Sequence, residues 1–219
     1  MIILTDLSEV LIRGVYGIED QIKEQYGESV ADHFVQRNLE CNPLFVELMR
    51  GHLTEAQYWD YFFQDRDWPF GVKEITTICS FNFALGFQRS AIDVYKRIVE
   101  YPDTTLTSAL RHRGRPEFWI VSDHIAERKD EIELMHPKIF QLVSKVIWSY
   151  DLGLVKHDTG FFQQLLRRHN LKYYEVLFID DMAPNIWSAA TANIAGIEYR
   201  DPEQLETQLR SYGFRFEPV

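Results

Sequence analysis

The sequence predicts an α/β fold in which a parallel sheet is covered by helices and an all-helical segment is inserted after the first strand. Three observations carry this expectation. The apolar run Ile2-Ile3-Leu4 stops at Asp6 after one more residue, as a buried parallel strand does when its C-terminal tip reaches a crevice. Residues 13–98 then place apolar side chains at helical spacing almost throughout. Beyond Tyr101-Pro102, short strands alternate with helices, the pattern of a doubly wound sheet whose crossovers are helical.

Within the helical stretch, Ile18 to Tyr26 and Val30 to Leu39 set apolar residues three and four apart among charges. Pro43 suits the first turn of a helix over 44–49, and Gly51 its end. Thr54 and Gln57 form a capping box for a helix to about Gln64, along which Tyr58/Phe62 and Trp59/Phe63 are i,i+4 pairs. Aromatics so spaced are expected to form the core of a small helical bundle. The second half predicts a helix over 103–111 and a strand Glu117–Val121 ending at Ser122-Asp123. Helices over 125–135 and 137–143 and a strand over 146–150 follow. Next come a helix over 158–169 and a strand over 176–179 ending at Asp180-Asp181. Pro184 opens a helix to about Ile194, Gly196 precedes a strand over 197–199, and a helix over 202–212 closes the series. The expected layout is a discontinuous Rossmann-like α/β core over 1–13 and 99–219, with a helical cap over 14–98.

A chain of 219 residues can bury a full core as one large domain, or as a domain plus an insert. The net charge of -10 argues against a nucleic-acid backbone or an anionic membrane as the main partner. No apolar stretch approaches a membrane span, and the N-terminus lacks the basic region of a signal peptide, so a cytoplasmic protein is expected. Cys41 and Cys79 have no metal-ligand spacing and are expected as buried free thiols. Oligomeric state has no signature in the sequence.

Four strand tips carry the chemistry: Asp6, Ser122, Lys156 shortly after its strand, and the pair Asp180-Asp181. The tips of neighbouring parallel strands converge on one crevice. Carboxylates gathered there repel unless compensated, which favours a hard divalent cation such as Mg²⁺. Lys156 and the cation can hold an anionic substrate, the Ser122 hydroxyl can donate to it, and one carboxylate can act as nucleophile. His124, two residues beyond Ser122, is a candidate substrate contact; for it and Asp123, capping the next helix is the plainer role. The remaining histidines show no metal-ligand spacing.

Taken together, these residues resemble the haloacid dehalogenase-like (HAD) hydrolases with a helical cap. Asp6-Leu7-Ser8-Glu9-Val10-Leu11 resembles the motif that carries the nucleophile. Val121-Ser122-Asp123 resembles the second motif, with Ser122 as a phosphate ligand. Gly153 to Asp158 is similar to the third, with Lys156 as the cation that balances phosphate and nucleophile. Phe178-Ile179-Asp180-Asp181, followed by Asn185 and Ala189-Ala190, is similar to the fourth, whose acidic pair holds Mg²⁺. The resemblance spans essentially the whole chain. It implies an Mg²⁺-dependent phosphatase that hydrolyses a small phosphorylated metabolite through an aspartyl-phosphate, in the branch of the sugar-phosphate phosphatases. It also implies that Asp6, the backbone carbonyl of Ser8 and Asp181 ligate the metal, with Asp180 bound directly or through water.

Three positions depart from that pattern. Ser8 stands where the phosphatases usually have the Asp that protonates the leaving oxygen and then activates water, and a serine hydroxyl cannot shuttle a proton in that way. Glu9 replaces a usual small residue, and His157 the proline of the usual Lys-Pro-Asp. A second function therefore stands beside the first: a catalytically impaired relative that binds a phosphorylated ligand or partner. A third, a C–X hydrolase of the dehalogenase type, has no use for the acidic pair.

Overall fold

The computed structural model describes residues 1–38, 42–64, 67–85, 90–100 and 115–217. The chain begins with β1 (Ile2–Thr5) and passes into five helices, α1 (Val15–Tyr26), α2 (Glu28–Asn38), α3 (Pro43–Met49), α4 (Glu55–Phe62) and α5 (Val72–Ala84). A short helix α6 (Ala91–Lys96) and strand β2 (Ile98–Glu100) lead to β3 (Glu117–Ser122). Then come α7 (Lys129–Met135), α8 (Pro137–Phe140), β4 (Lys145–Trp148), α9 (Ser149–Leu152) and α10 (Phe161–Arg168). The last elements are β5 (Val176–Asp180), α11 (Ala183–Thr191), β6 (Ala195–Glu198), α12 (Pro202–Ser211) and β7 (Arg215–Phe216).

Five strands form one parallel sheet in the order β4-β3-β1-β5-β6, with β1 at its centre. Because successive side chains point to opposite faces, the strands are apolar on both sides. Ile3, Phe118, Ile120, Leu177 and Ile179 join one core cluster with Tyr95, Leu205 and Leu209. Leu4, Trp119, Val121, Ile147 and Phe178 join the other with Phe161, Phe162 and Leu165 of α10. Burial on both faces explains why these strands read as continuous apolar runs.

Helices α1 to α5 pack around an aromatic cluster in which Phe62 contacts Phe34, Tyr58, Trp59 and Trp68 at ring separations of 4.8–6.0 Å. The capping box of Thr54 and Gln57 is present, and Asn42 caps α3 ahead of Pro43. Helix α6 packs instead on the sheet: Tyr95 stacks on Phe118 and donates its hydroxyl to Thr5 Oγ1 at 2.9 Å.

Several boundaries differ from the sequence expectation. The strand expected over 146–150 ends at Trp148, because Ser149 turns inward to donate to the Met49 carbonyl and Gly153, at φ 68°, closes the short helix that follows. The helix expected from Asp158 starts at Phe161, since the Asp158 carboxylate is occupied by Val155 N–H and Arg50. The helix expected over 137–143 is only one turn, Pro137–Phe140. The antiparallel pair β2–β7 was not legible, because two- and three-residue strands carry no periodicity. The helix expected over 103–111 and Cys41 lie outside the described residues. Cys79 is a buried free thiol. Among the described residues no helix is long and apolar enough to cross a membrane.

Candidate active site

At the C-terminal edge of the sheet, the tips of β1 and β5 lie side by side. Asp6 extends the ladder by donating its N–H to the Ile179 carbonyl at 2.8 Å, which fixes its carboxylate beside that of Asp180. Lys156 Nζ bridges the two, 2.7 Å from Asp6 Oδ1 and 2.6 Å from Asp180 Oδ2. Asp6 Oδ1 also accepts from Leu7 N–H at 2.7 Å, so both contacts fall on that oxygen and neither engages Oδ2. Asp180 is fully buried, and its Oδ1 accepts from Met182 N–H at 2.8 Å and Asn185 Nδ2 at 3.0 Å. Asp181 is less buried and faces the cavity that Asp6 also lines. One oxygen each from Asp6, Asp180 and Asp181 lies within 4.8 Å of the others.

The loop that delivers Lys156 is anchored from two sides. Asp123 accepts Lys156 N–H with both carboxylate oxygens, at 3.1 and 3.2 Å. Asp158 Oδ2 accepts Val155 N–H at 3.0 Å. Asp123 is thus a positioning residue for the lysine, a role the sequence did not disclose because the two are 33 positions apart. The turn after Asp6 is equally constrained. Glu9 adopts φ 58° and its carboxylate accepts Gly14 N–H at 2.8 Å, at the entry to α1, which gives this residue a capping role.

Charge is unbalanced at this centre. Burial, reinforced by Asp180 and Asp181 against Lys156, pushes the Asp6 carboxyl well above the usual range. Burial and the neighbouring Asp180 raise that of Asp181 to about 7. Lys156 is held protonated: burial opposes its charge, but Asp180, Asp6 and Asp123 together outweigh burial. Three carboxylates around one ammonium leave an excess of negative potential, and oxygen donors in that setting fit a hard divalent cation.

Ser122 ends β3 with its hydroxyl buried and without a hydrogen-bond partner, beneath the cavity wall rather than in it. Ser8 lines the cavity two residues beyond Asp6. His124 also lines it; its Nδ1 accepts Ile125 N–H at 2.8 Å, and burial drives its pKa down to about 4, so the ring is neutral and carries its proton on Nε2. His157 joins the floor with a buried Nδ1 that has no partner.

The cavity is about 340 Å³, partly open to solvent, and lined from above by residues of α1, α3, α4 and α5. Two ion pairs tie these helices to the sheet side. Arg50, at the end of α3, holds Asp158 through Nε at 2.9 Å and Nη2 at 2.5 Å. Arg128 holds Glu55 of α4 at 2.6–3.1 Å.

No protein-family model matches the sequence, and no curated protein does. Solved structures share its fold. A predicted HAD-like family hydrolase from Porphyromonas gingivalis superposes with a TM-score of 0.66 at 15% identity, covering 96% of each chain. A HAD family enzyme from Bacteroides thetaiotaomicron, in complex with magnesium and inorganic phosphate, gives 0.61 at 14% identity, over 91% of this chain and 93% of that one. L-2-haloacid dehalogenase from Xanthobacter autotrophicus, with chloropropionic acid covalently bound, gives 0.59 at 12% identity, over 96% and 82%. The chain has the fold of the HAD-like hydrolases.

Proposed function

We propose that this protein is a HAD-like phosphatase that hydrolyses a phosphate monoester with Asp6 as nucleophile. The observation that carries the reading is the bridge of Lys156 between Asp6 and Asp180, with Asp181 beside them at the floor of a cavity. Asp6, Asp180, Asp181 and the Ser8 carbonyl would hold Mg²⁺, which supplies charge neutralisation for the phosphoryl oxygens when bound. Asp6 attacks phosphorus through the oxygen not engaged by Lys156; the P–O bond to the alcohol breaks, and the leaving oxygen takes its proton from solvent water. Water then cleaves the aspartyl-phosphate, releasing inorganic phosphate and restoring Asp6. Lys156 keeps its proton throughout and balances Asp6 and the incoming phosphate. His124 Nε2–H is the neutral side-chain donor that the cavity lining offers to the phosphate, while the Ser122 hydroxyl, outside the lining, would need to reach it from β3. The kept acidic pair sets this reading above carbon–halogen hydrolysis.

The impaired-relative reading rests on Ser8, which lines the cavity but supplies no carboxyl for proton transfer. One screen separates the two: phosphate monoesters, aryl and alkyl, are assayed with Mg²⁺ and with a chelator. Mg²⁺-dependent phosphate release supports the phosphatase. Phosphate binding without release from any ester supports the impaired relative, and neither binding nor release overturns both.

A further inference from the structure

The cavity has two unlike halves. Its floor holds every charged group that lines it, and Lys156 is the one permanent cation among the described lining residues. The walls supplied by α1, α3, α4 and α5 contain no charged residue: Ile18, Phe45, Leu48, Met49, Trp59 and Phe83 make up most of them. The polar atoms there belong to Tyr58, Trp59 and Cys79. The Trp59 indole N–H donates to Glu55 Oε1 at 3.1 Å, and burial pushes the Cys79 thiol up to about 12, so it stays neutral. Among lining residues, the buried polar atoms that lack a partner, His157 Nδ1 and Asn185 Oδ1, both belong to the floor.

From this division we infer that the substrate is an amphiphilic monoester: one phosphate at the floor and an uncharged, apolar body of about one ring against the helices, rather than a sugar phosphate. The inference rests on the phosphatase reading of the same floor and sharpens its substrate class. A sugar placed against these walls would lose the water on its hydroxyls without gaining partners, a loss of about tenfold or more in affinity for each hydroxyl left unpaired. An apolar body loses nothing comparable and gains by burial, about three- to fourfold per methylene. The volume of about 340 Å³ sits at the small end of small-molecule sites and holds a body of about one ring inside the walls. A single anion-binding end also disfavours diphosphates and phosphorylated acids.

The test uses calorimetric binding to the wild-type protein with Mg²⁺. Three probes share one head group or lack a body: inorganic phosphate, 3-phenylpropylphosphonate and 3,4-dihydroxybutylphosphonate. None of them has a cleavable ester, so leaving-group chemistry does not enter. The phenyl compound is expected to bind about 30-fold or more tighter than inorganic phosphate, and the diol no tighter. In an n-alkylphosphonate series, affinity should climb with each methylene up to about six and then stop. Phe45→Asn, at a half-buried position, should cut the phenyl advantage about tenfold. Inorganic phosphate binding with no gain from the phenyl body, or an equal gain from the diol, overturns the inference and leaves the phosphatase reading standing. Failure of all three probes to bind removes the phosphate site itself.

Discussion

The floor and the roof of this cavity are held together by different physics. At the floor, side chains are fixed by short charged hydrogen bonds: Lys156 between Asp6 and Asp180, Asp123 on the Lys156 N–H, Asn185 on Asp180. In the roof, position comes from shape, through aromatic contacts around Phe62 and a capping box at Thr54. A hydrogen-bonded carboxylate has few acceptable replacements, whereas a packed apolar side chain exchanges with others of similar volume at small cost. Chemistry is therefore specified residue by residue below, and selectivity as a surface above.

The sharpest way to break this contrast is Asp6→Asn. It keeps the side-chain shape while removing the nucleophile, so turnover should fall by about 10⁴-fold or more. Phosphate release assays with matched circular dichroism spectra check it. Retention of most activity would move the chemistry away from the floor.

Ser8→Asp comes next. Restoring a proton donor two residues beyond Asp6 should raise kcat/KM for alkyl esters by about 10²–10⁴-fold and help aryl esters little, since a phenolate leaves without protonation. The readout is the slope of log kcat/KM against leaving-group pKa for both proteins. An already shallow slope in the wild type would mean that the floor has another acid, with His157 the first to examine.

His124 sits at the seam, its ring against Phe83 of the roof and Trp148 of the floor. Its pKa is depressed by burial to about 4, so the unfolded chain takes up the proton first as pH falls. Stability from this residue is complete above pH 6.5 and drains away between 6.5 and about 4, by at most about 3 kcal/mol. His124→Phe cannot titrate and should flatten that loss, measured as urea midpoints at pH 7 and pH 4.5. Parallel losses in both proteins would place the acid sensitivity elsewhere.

The smallest effect is expected from Glu55→Gln, which keeps an acceptor for Trp59 but removes one charge from the pair with Arg128, whose side chains are 12% and 13% exposed. A cost of about 1–2 kcal/mol is expected in the thermal or urea midpoint. No change would mean that the Glu55–Arg128 pair adds nothing to the adhesion of roof and floor.

The same contrast governs what the sequence disclosed. The parallel sheet and the strand tips were legible because abrupt changes from an apolar run to a carboxylate, each weak alone, recur at Asp6 and at Asp180-Asp181 with Ser122 and Lys156 between them in the chain. Lys156 was found through its neighbours, and the structure brings it between the two carboxylates. Asp123 was not read as the anchor of the lysine loop, because that contact joins two separate loops. The cavity wall was illegible for a different reason: Leu48, Trp59 and Phe83 follow the same helical spacing as residues of the bundle core, and periodicity cannot say which of them meets empty space. The switch at Trp148-Ser149 from strand to helix was hidden too, since it depends on a carbonyl 100 positions away.

The pair between Arg50 and Asp158 has a mechanical consequence. Asp158 Oδ2 accepts both from the guanidinium and from Val155 N–H, immediately before Lys156. Lifting α3 to admit a ligand would withdraw the guanidinium from the carboxylate that steadies the lysine loop. The end of α3 and the turn before Lys156 thus share one carboxylate oxygen, so roof and catalytic loop are joined at a single atom.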